Sequence, residues 1–169
     1  MSQFQIVIPL YPDVTHLDFT GPHQVFARLP NTKVIVASMG GVDVVADGLT
    51  FSNLADLSKV ERCDLLCVPG GFGTTDAMLD EAFMAEIRRL GGGAKYLTSV
   101  CTGSLILAAA GFLRGKRAAC HWAWRDLLVP FRGYGAHTGP LPLIPLSDGV
   151  GEVIGVGAGV TRVRVGDRV

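Results

Sequence analysis

Cys101 sits in the stretch Ser99-Val100-Cys101-Thr102-Gly103-Ser104, between a strand-like run, Ala94-Lys95-Tyr96-Leu97-Thr98, and an apolar helical run ending at Gly111. A strand that turns tightly into a helix lifts the turn residue clear of the sheet, the geometry of a nucleophile elbow. Gly103 and Ser104 permit the close approach that such a bend needs. A thiol there faces the first free N–H groups and the positive end of the helix, which favours the reactive thiolate. Cysteine in general is more often a small buried hydrophobe, and the elbow is what sets Cys101 apart.

A nucleophile also needs donors for developing charge and a group to handle protons. The amides of Gly71, in Pro69-Gly70-Gly71, and of Thr102 are the expected donors, with a plain sharp turn and a helix-start residue as the simpler readings. Asp18, in His16-Leu17-Asp18-Phe19-Thr20-Gly21-Pro22, is the expected acid–base partner; flanked by Leu17 and Phe19 it should be partly buried. Its simpler role is a charge at a helix N-terminus. Gly70, His121 and Trp122 are placed on the substrate side, although a histidine beside Trp122 and Trp124 is more often packing than a base.

The elements that must position these residues alternate. Phe4–Leu10 reads as a buried strand, followed by a helix starting at Thr20-Gly21-Pro22, with Pro22 in its first turn. Thr32–Ser38 is a second strand, and Val42–Val45 with Leu49–Phe51 a small hairpin. Cys63–Val68 is a third strand closed by Pro69-Gly70-Gly71. Thr75–Leu90 has helical spacing, with Thr75 or Asp76 as cap and Gly91-Gly92-Gly93 as stop. A strand over Ala94–Val100, a helix over Thr102–Ala110, a short strand at Ala118-Ala119-Cys120 and a helical turn or two over Trp122–Leu128 follow. This pattern predicts a parallel sheet covered on both faces, with ligands at the carboxyl ends of its strands. The loop after the first strand, Pro69-Gly70-Gly71 and Cys101 all fall at such ends.

Bulk properties narrow the chemistry. The chain has 169 residues, 49% hydrophobic and 18% charged, with zero formal net charge. That is about one domain in length, and the lack of a basic cluster argues for a small neutral ligand over nucleic acid. No run approaches the ~20 apolar residues of a membrane span, and Met1-Ser2-Gln3 lacks the basic start of a signal peptide. Cys63, Cys67, Cys101 and Cys120 are too scattered for a disulfide framework, so free thiols in a reducing cytoplasm are expected. Zinc through Cys120 and His121 is disfavoured because no paired ligand knuckle exists.

LDFTGPHQVFARLP (17–30), CDLLCVPGGFGT (63–74) and YLTSVCTGSLILAAAGFLRGKRAACHWAWRDLLVPF (96–131) resemble the ThiJ/PfpI superfamily and, within it, the isonitrile (isocyanide) hydratases. The resemblance implies a three-layer, flavodoxin-like α/β sandwich over residues 1–131, a homodimer and no metal or organic cofactor. It also implies Cys101 as nucleophile and Asp18 as its proton partner in turning R–N≡C into an N-substituted formamide through a thioimidate. Thr102 stands where peptidase-like members carry His, which speaks against proteolysis; deglycase-type members usually carry Glu in place of Asp18.

Composition changes near Pro130, and a second unit is placed at 132–169 as a glycine-rich β-type tail. Gly139–Val169 resembles the GroES-like N-terminal segment of medium-chain alcohol dehydrogenases and quinone reductases, in DGVGEV, VGAGVTRV and VGDRV. The nucleotide-binding domain of those enzymes has no counterpart here. Ser147-Asp148-Gly149 also stands where zinc-type members carry His-Glu, so neither NAD nor zinc is expected. The sequence thus reads as a hydratase-like domain, truncated on its C-terminal side, fused to a dehydrogenase fragment. Two other readings stand beside the hydratase. One is the ligand-sensing domain of a protein similar to AraC-type regulators. The other is a catalytically silent fusion, weakened by uncovered apolar sheet surface.

Overall fold

The computed structural model describes residues 3–116, 118–121, 123–124 and 164; the expected tail unit otherwise lies outside them. Strand β1 (Phe4–Pro9) is followed by helix α1 (His16–Phe26) and strand β2 (Thr32–Ser38). A hairpin of β3 (Val44–Ala46) and β4 (Leu49–Phe51) comes next, then β5 (Ala55–Asp56) and β6 (Leu65–Val68). Helices α2 (Thr74–Leu79) and α3 (Glu81–Gly93), strand β7 (Tyr96–Ser99) and helix α4 (Gly103–Ala109) complete the described elements.

The main sheet has the order β5-β2-β1-β6-β7 and every pairing in it is parallel. Apart from the two-residue β5, the order β2-β1-β6-β7 is that of a doubly wound, flavodoxin-like sheet, with its switch point between β1 and β6. Strands of such a sheet are covered on both faces, and Ile6, Val7, Ile8, Leu66 and Val68 are accordingly buried. They pack with Phe83, Met84 and Ile87 of α3 and with Ile106 and Leu107 of α4 in one core.

The hairpin turns at Asp47-Gly48, both with positive φ (48° and 77°). An Asp-Gly pair suits the two-residue turn that matches strand twist. Helix α1 begins at His16, four residues before the expected start, so Pro22 lies inside it. The missing proline N–H leaves the Asp18 carbonyl without its usual intrahelical donor. The single helix expected over Thr75–Leu90 is two helices, because Asp80 ends one and caps the next. Its Oδ1 accepts from the amides of Ala82 and Phe83, both at 3.0 Å. Asp80→Ala is therefore expected to lower stability by about 1 kcal/mol, read as a reduced urea midpoint with an unchanged slope.

Helix α3 ends with the glycine triplet, which forms its last turn up to Gly93. Ala118-Ala119-Cys120 is not a strand: it is irregular and joins no ladder. Of the helical turn expected over Trp122–Leu128, only Ala123 and Trp124 are described, with the Trp124 amide donating to the His121 carbonyl at 2.9 Å.

Candidate active site

Three loops meet at the carboxyl ends of β1, β6 and β7. After β7 the Val100 amide donates to the Val68 carbonyl at 3.0 Å, and the next residue, Cys101, turns to φ 52°. A non-glycine residue in this left-handed region costs on the order of 1–3 kcal/mol and persists only where its surroundings impose it. Gly103 allows the close approach that the bend requires, lying against the carbonyl oxygens of Val68 and Pro69; an added Cβ would stand 2.8 Å from the Pro69 oxygen. The bend leaves Cys101 half-buried, above the strand ends.

Asp18 reaches the same place from α1. Thr15 and Asp18 have the spacing of a capping box, yet the Thr15 side chain makes no cap bond. Instead the Thr15 amide donates to the Gly70 carbonyl at 2.9 Å, and the Asp18 Oδ2 accepts from the Gly70 amide at 3.2 Å. The Cys101 thiol lies close enough to the carboxylate for each to bias the other's charge. Burial raises the Asp18 pKa, against the lowering effects of the Gly70 amide, the thiol and nearby His121.

Cys101 departs from expectation in its charge. Burial, then the Asp18 charge, raises its pKa above the ordinary thiol value, although the amide and hydroxyl of Thr102 pull the other way. The thiolate expected from the helix dipole is therefore not the resting state. Helix α4 has only seven residues, and its N-terminus is outweighed by desolvation and by a carboxylate beside the sulfur. Burial and the neighbouring carboxylate thus both favour the thiol form of Cys101.

The Pro69-Gly70-Gly71 turn serves the protein's own groups. The Gly70 amide and carbonyl are taken by Asp18 and Thr15, so this backbone does not face a ligand as expected. The Gly71 amide donates to Thr102 Oγ1 at 2.9 Å, which removes it as a ready donor for developing charge. Thr102 is buried, and its hydroxyl lies 2.8 Å from that of Thr74. The Thr74 hydroxyl donates to the Gly71 carbonyl at 2.7 Å, and Tyr11 donates to the Pro69 carbonyl at 2.8 Å. Tyr11 and Thr74 do not stand out in the sequence, where a strand-end tyrosine and a helix-start threonine have no signature of their own.

His121 is half-buried and close enough to Asp18 to favour its charged form, while its Nδ1 accepts from the Ala123 amide at 3.3 Å. Trp122 lies outside the described residues. Cys63, Cys67 and Cys120 are buried and free, and burial raises the pKa of each. Among the described residues no group of His, Cys, Asp and Glu is arranged to hold a metal ion, and no helix is long and apolar enough to cross a membrane. A shallow groove beside β2, lined by Lys33, Ile35, Lys59 and Arg62 among others, includes none of the site residues.

Comparison with known proteins agrees with this architecture. The chain is 45% identical over 125 residues to the isonitrile hydratase of Pseudomonas putida, covering 73% of this chain and 55% of that protein. It is 32% identical over 88 residues to the HTH-type transcriptional regulator CdhR of Pseudomonas aeruginosa, covering 52% of this chain and 26% of the regulator. The crystal structure of a ThiJ/PfpI family protein from Pseudomonas syringae superposes with a TM-score of 0.74 at 37% identity, over 81% of this chain and 59% of that one. The chain thus spans little more than half the length of the hydratase and of the P. syringae protein. Residues 116–169 match the alcohol dehydrogenase GroES-like domain, in keeping with the resemblance of the tail. Residues 4–138 match the DJ-1/PfpI family, and with a parallel sheet that gathers Asp18, Gly70 and Cys101 at its switch point, the chain belongs to that family.

Proposed function

We propose that this chain carries the reactive centre of a cysteine-dependent hydratase that converts isocyanides to N-substituted formamides. The observation that carries the reading is the convergence of Asp18 on the Cys101–Thr102 elbow across Gly70, whose amide donates to Asp18 Oδ2 at 3.2 Å. Identity to an isonitrile hydratase across most of the chain supports the substrate class. In the proposed reaction the Asp18 carboxylate takes the thiol proton as the sulfur attacks the terminal carbon of R–N≡C. The same carboxyl then delivers that proton to the carbon, giving R–N=CH–S–Cys101. Water adds to this thioimidate carbon, the C–S bond breaks, and R–NH–CHO leaves with the thiol restored. Proton and electron counts balance with water as the only co-reactant, so no cofactor is required.

Thr102 is assigned to orient the sulfur. Gly70 and Gly71 are assigned to hold Asp18 and Thr102 in place, and His121 to bias the Asp18 charge. Trp122 keeps its proposed place on the substrate side. We further assign a cytoplasmic setting, consistent with four free thiols, a homodimeric assembly, and a unit boundary near residue 131.

A second reading, the ligand-sensing domain of a regulator, is favoured by the similarity to CdhR. One experiment separates them: the full chain is incubated with an aryl isocyanide and the product identified by mass spectrometry. Formamide formed by catalytic turnover supports the hydratase. A folded protein that binds the isocyanide without forming product overturns it in favour of sensing, and one that does neither favours the silent fusion.

A further inference from the structure

The Gly70 amide holds Asp18, and the other end of the same peptide group shows what aims that amide. The Pro69–Gly70 peptide is trans, so the Pro69 carbonyl and the Gly70 N–H lie in one plane and point in opposite directions. A donor on the oxygen therefore fixes the direction of the N–H. That donor is Tyr11, whose hydroxyl donates to the Pro69 oxygen at 2.8 Å, while the Gly70 N–H donates to Asp18 Oδ2 at 3.2 Å.

Unanchored, this plane would turn easily, because two glycines in succession follow Pro69 and neither has a Cβ to limit rotation. The next two planes have anchors of their own. The Gly70–Gly71 peptide accepts from the Thr15 amide and donates to Thr102 Oγ1, both at 2.9 Å. The Gly71 carbonyl accepts from the Thr74 hydroxyl at 2.7 Å. Each hydroxyl has one proton to give, and all three are used: Tyr11 to Pro69, Thr74 to Gly71, and Thr102 to the Thr74 oxygen at 2.8 Å. Tyr11 is itself firmly placed, only 4% exposed, with its ring edge-on to Phe83 of α3 at 5.7 Å. Burial pushes its ionisation above the ordinary tyrosine range, so the hydroxyl keeps its proton wherever a carboxyl group titrates.

We propose that Tyr11 is a positioning residue for Asp18: by donating to the Pro69 carbonyl it locks the peptide plane that aims the Gly70 N–H at the carboxylate, and so holds that carboxylate beside the Cys101 elbow. Donation to the carbonyl also polarises the peptide group, which strengthens its N–H as a donor. The catalytic consequence rests on the hydratase reading; the hold on Asp18 does not.

The test therefore reads Asp18 directly. In the full chain, the Asp18 carboxyl carbon and the Gly70 amide are followed across pH by nuclear magnetic resonance, with Asp18→Asn to assign the carboxyl signal. In wild type the Gly70 amide proton should shift in step with Asp18. Tyr11→Phe keeps the ring and leaves in place the Cys101 thiol and His121, the other groups acting on Asp18. It is expected to raise the Asp18 pKa by about half a unit to one unit and to reduce the Gly70 response by about twofold or more. Thr74→Val removes an equally buried hydroxyl from a plane that carries no amide to Asp18, and should leave the pKa within about 0.2 unit of wild type. In isocyanide turnover, Tyr11→Phe should lower kcat by about tenfold with KM within about twofold. An unchanged Asp18 pKa and Gly70 response in Tyr11→Phe overturn the proposal, as does an equal rise in Thr74→Val. Should Tyr11→Phe fail to fold, 3-fluorotyrosine incorporated at position 11 decides. Its more acidic hydroxyl is a stronger donor and should lower the Asp18 pKa; an unchanged or raised value overturns the proposal. A chain inactive on isocyanides that still shows these titration shifts would retire the hydratase reading and leave the role of Tyr11 standing.

Discussion

Asp18→Asn and Cys101→Ser should each all but abolish formamide production, yet differ in every other readout. Loss of the proton carrier is expected to lower turnover by about 10²–10⁴-fold, and loss of the sulfur by on the order of 10⁴-fold or more. Thiol reactivity of the Asp18→Asn protein should move the opposite way. The carboxylate's charge opposes formation of a thiolate beside it; its removal lowers the thiol pKa, so alkylation of Cys101 at neutral pH should accelerate several-fold. A protein that alkylates faster while catalysing slower is the signature of a base whose charge opposes ionisation at rest and whose proton transfer drives the reaction. Unchanged turnover in Asp18→Asn would remove Asp18 from the mechanism.

Stability gives the same pair a second readout. Burial raises the Asp18 pKa in the folded protein above its unfolded value, so the folded state binds this proton more tightly. The contribution of Asp18 to stability is therefore greatest below the ordinary carboxylate range. It is lost as pH rises from the unfolded pKa through the folded one. The amide introduced by Asp18→Asn keeps an oxygen for the Gly70 N–H without the buried charge. The variant should accordingly melt slightly higher than wild type near neutral pH and lose that advantage in mild acid, which a melting series over pH would show.

Gly70→Ala is expected to lower turnover by about 100-fold while the sheet stays intact. The added methyl carbon would stand 2.5 Å from the Thr102 amide nitrogen, 2.6 Å from its hydroxyl and 2.9 Å from Asp18 Oδ2. Two of these neighbours are fixed backbone or buried side chain, so the carboxylate and the elbow must separate. Misplacement of reacting groups by about 1 Å costs on the order of 10²-fold. The loss should appear in kcat more than in KM, with a folded far-UV circular dichroism spectrum. A variant with wild-type kcat would mean that the Asp18–Cys101 geometry does not limit the rate.

Much of this site is written in local sequence, and most of what is not has a common physical cause. Strand β2 matches Thr32–Ser38 residue for residue, because a β-branched run between turn residues has no competing reading. The elbow at Cys101 and the turn after Val68 are equally plain. The start of α1 is not: Pro22 suggests a first turn, whereas contacts of Thr15 and Asp18 with the Gly70 backbone carry the helix back to His16. The break at Asp80 is hidden because apolar spacing continues across it while the cap acts on two amides. The ionisation of Cys101 escapes the sequence for a related reason. A helix terminus and a carboxylate partner are both visible there, but the burial that outweighs the helix terminus is not. The Gly71 amide reads as open to substrate until Thr102 folds against it. Apart from the Asp80 cap, which is local, a long-range neighbour overrides a correct local rule.

The parallel order of the sheet has a kinetic meaning as well. Asp18, Gly70 and Cys101 follow three different strands, and β1 must find β6, and β6 must find β7, before all three meet. Contacts so distant along the chain form slowly, since loop-closure entropy is lost before the pairing compensates for it. Native thiol reactivity should therefore be among the last properties to return during refolding, after helical signal and hydrophobic collapse, making Cys101 a built-in clock for completion of the fold.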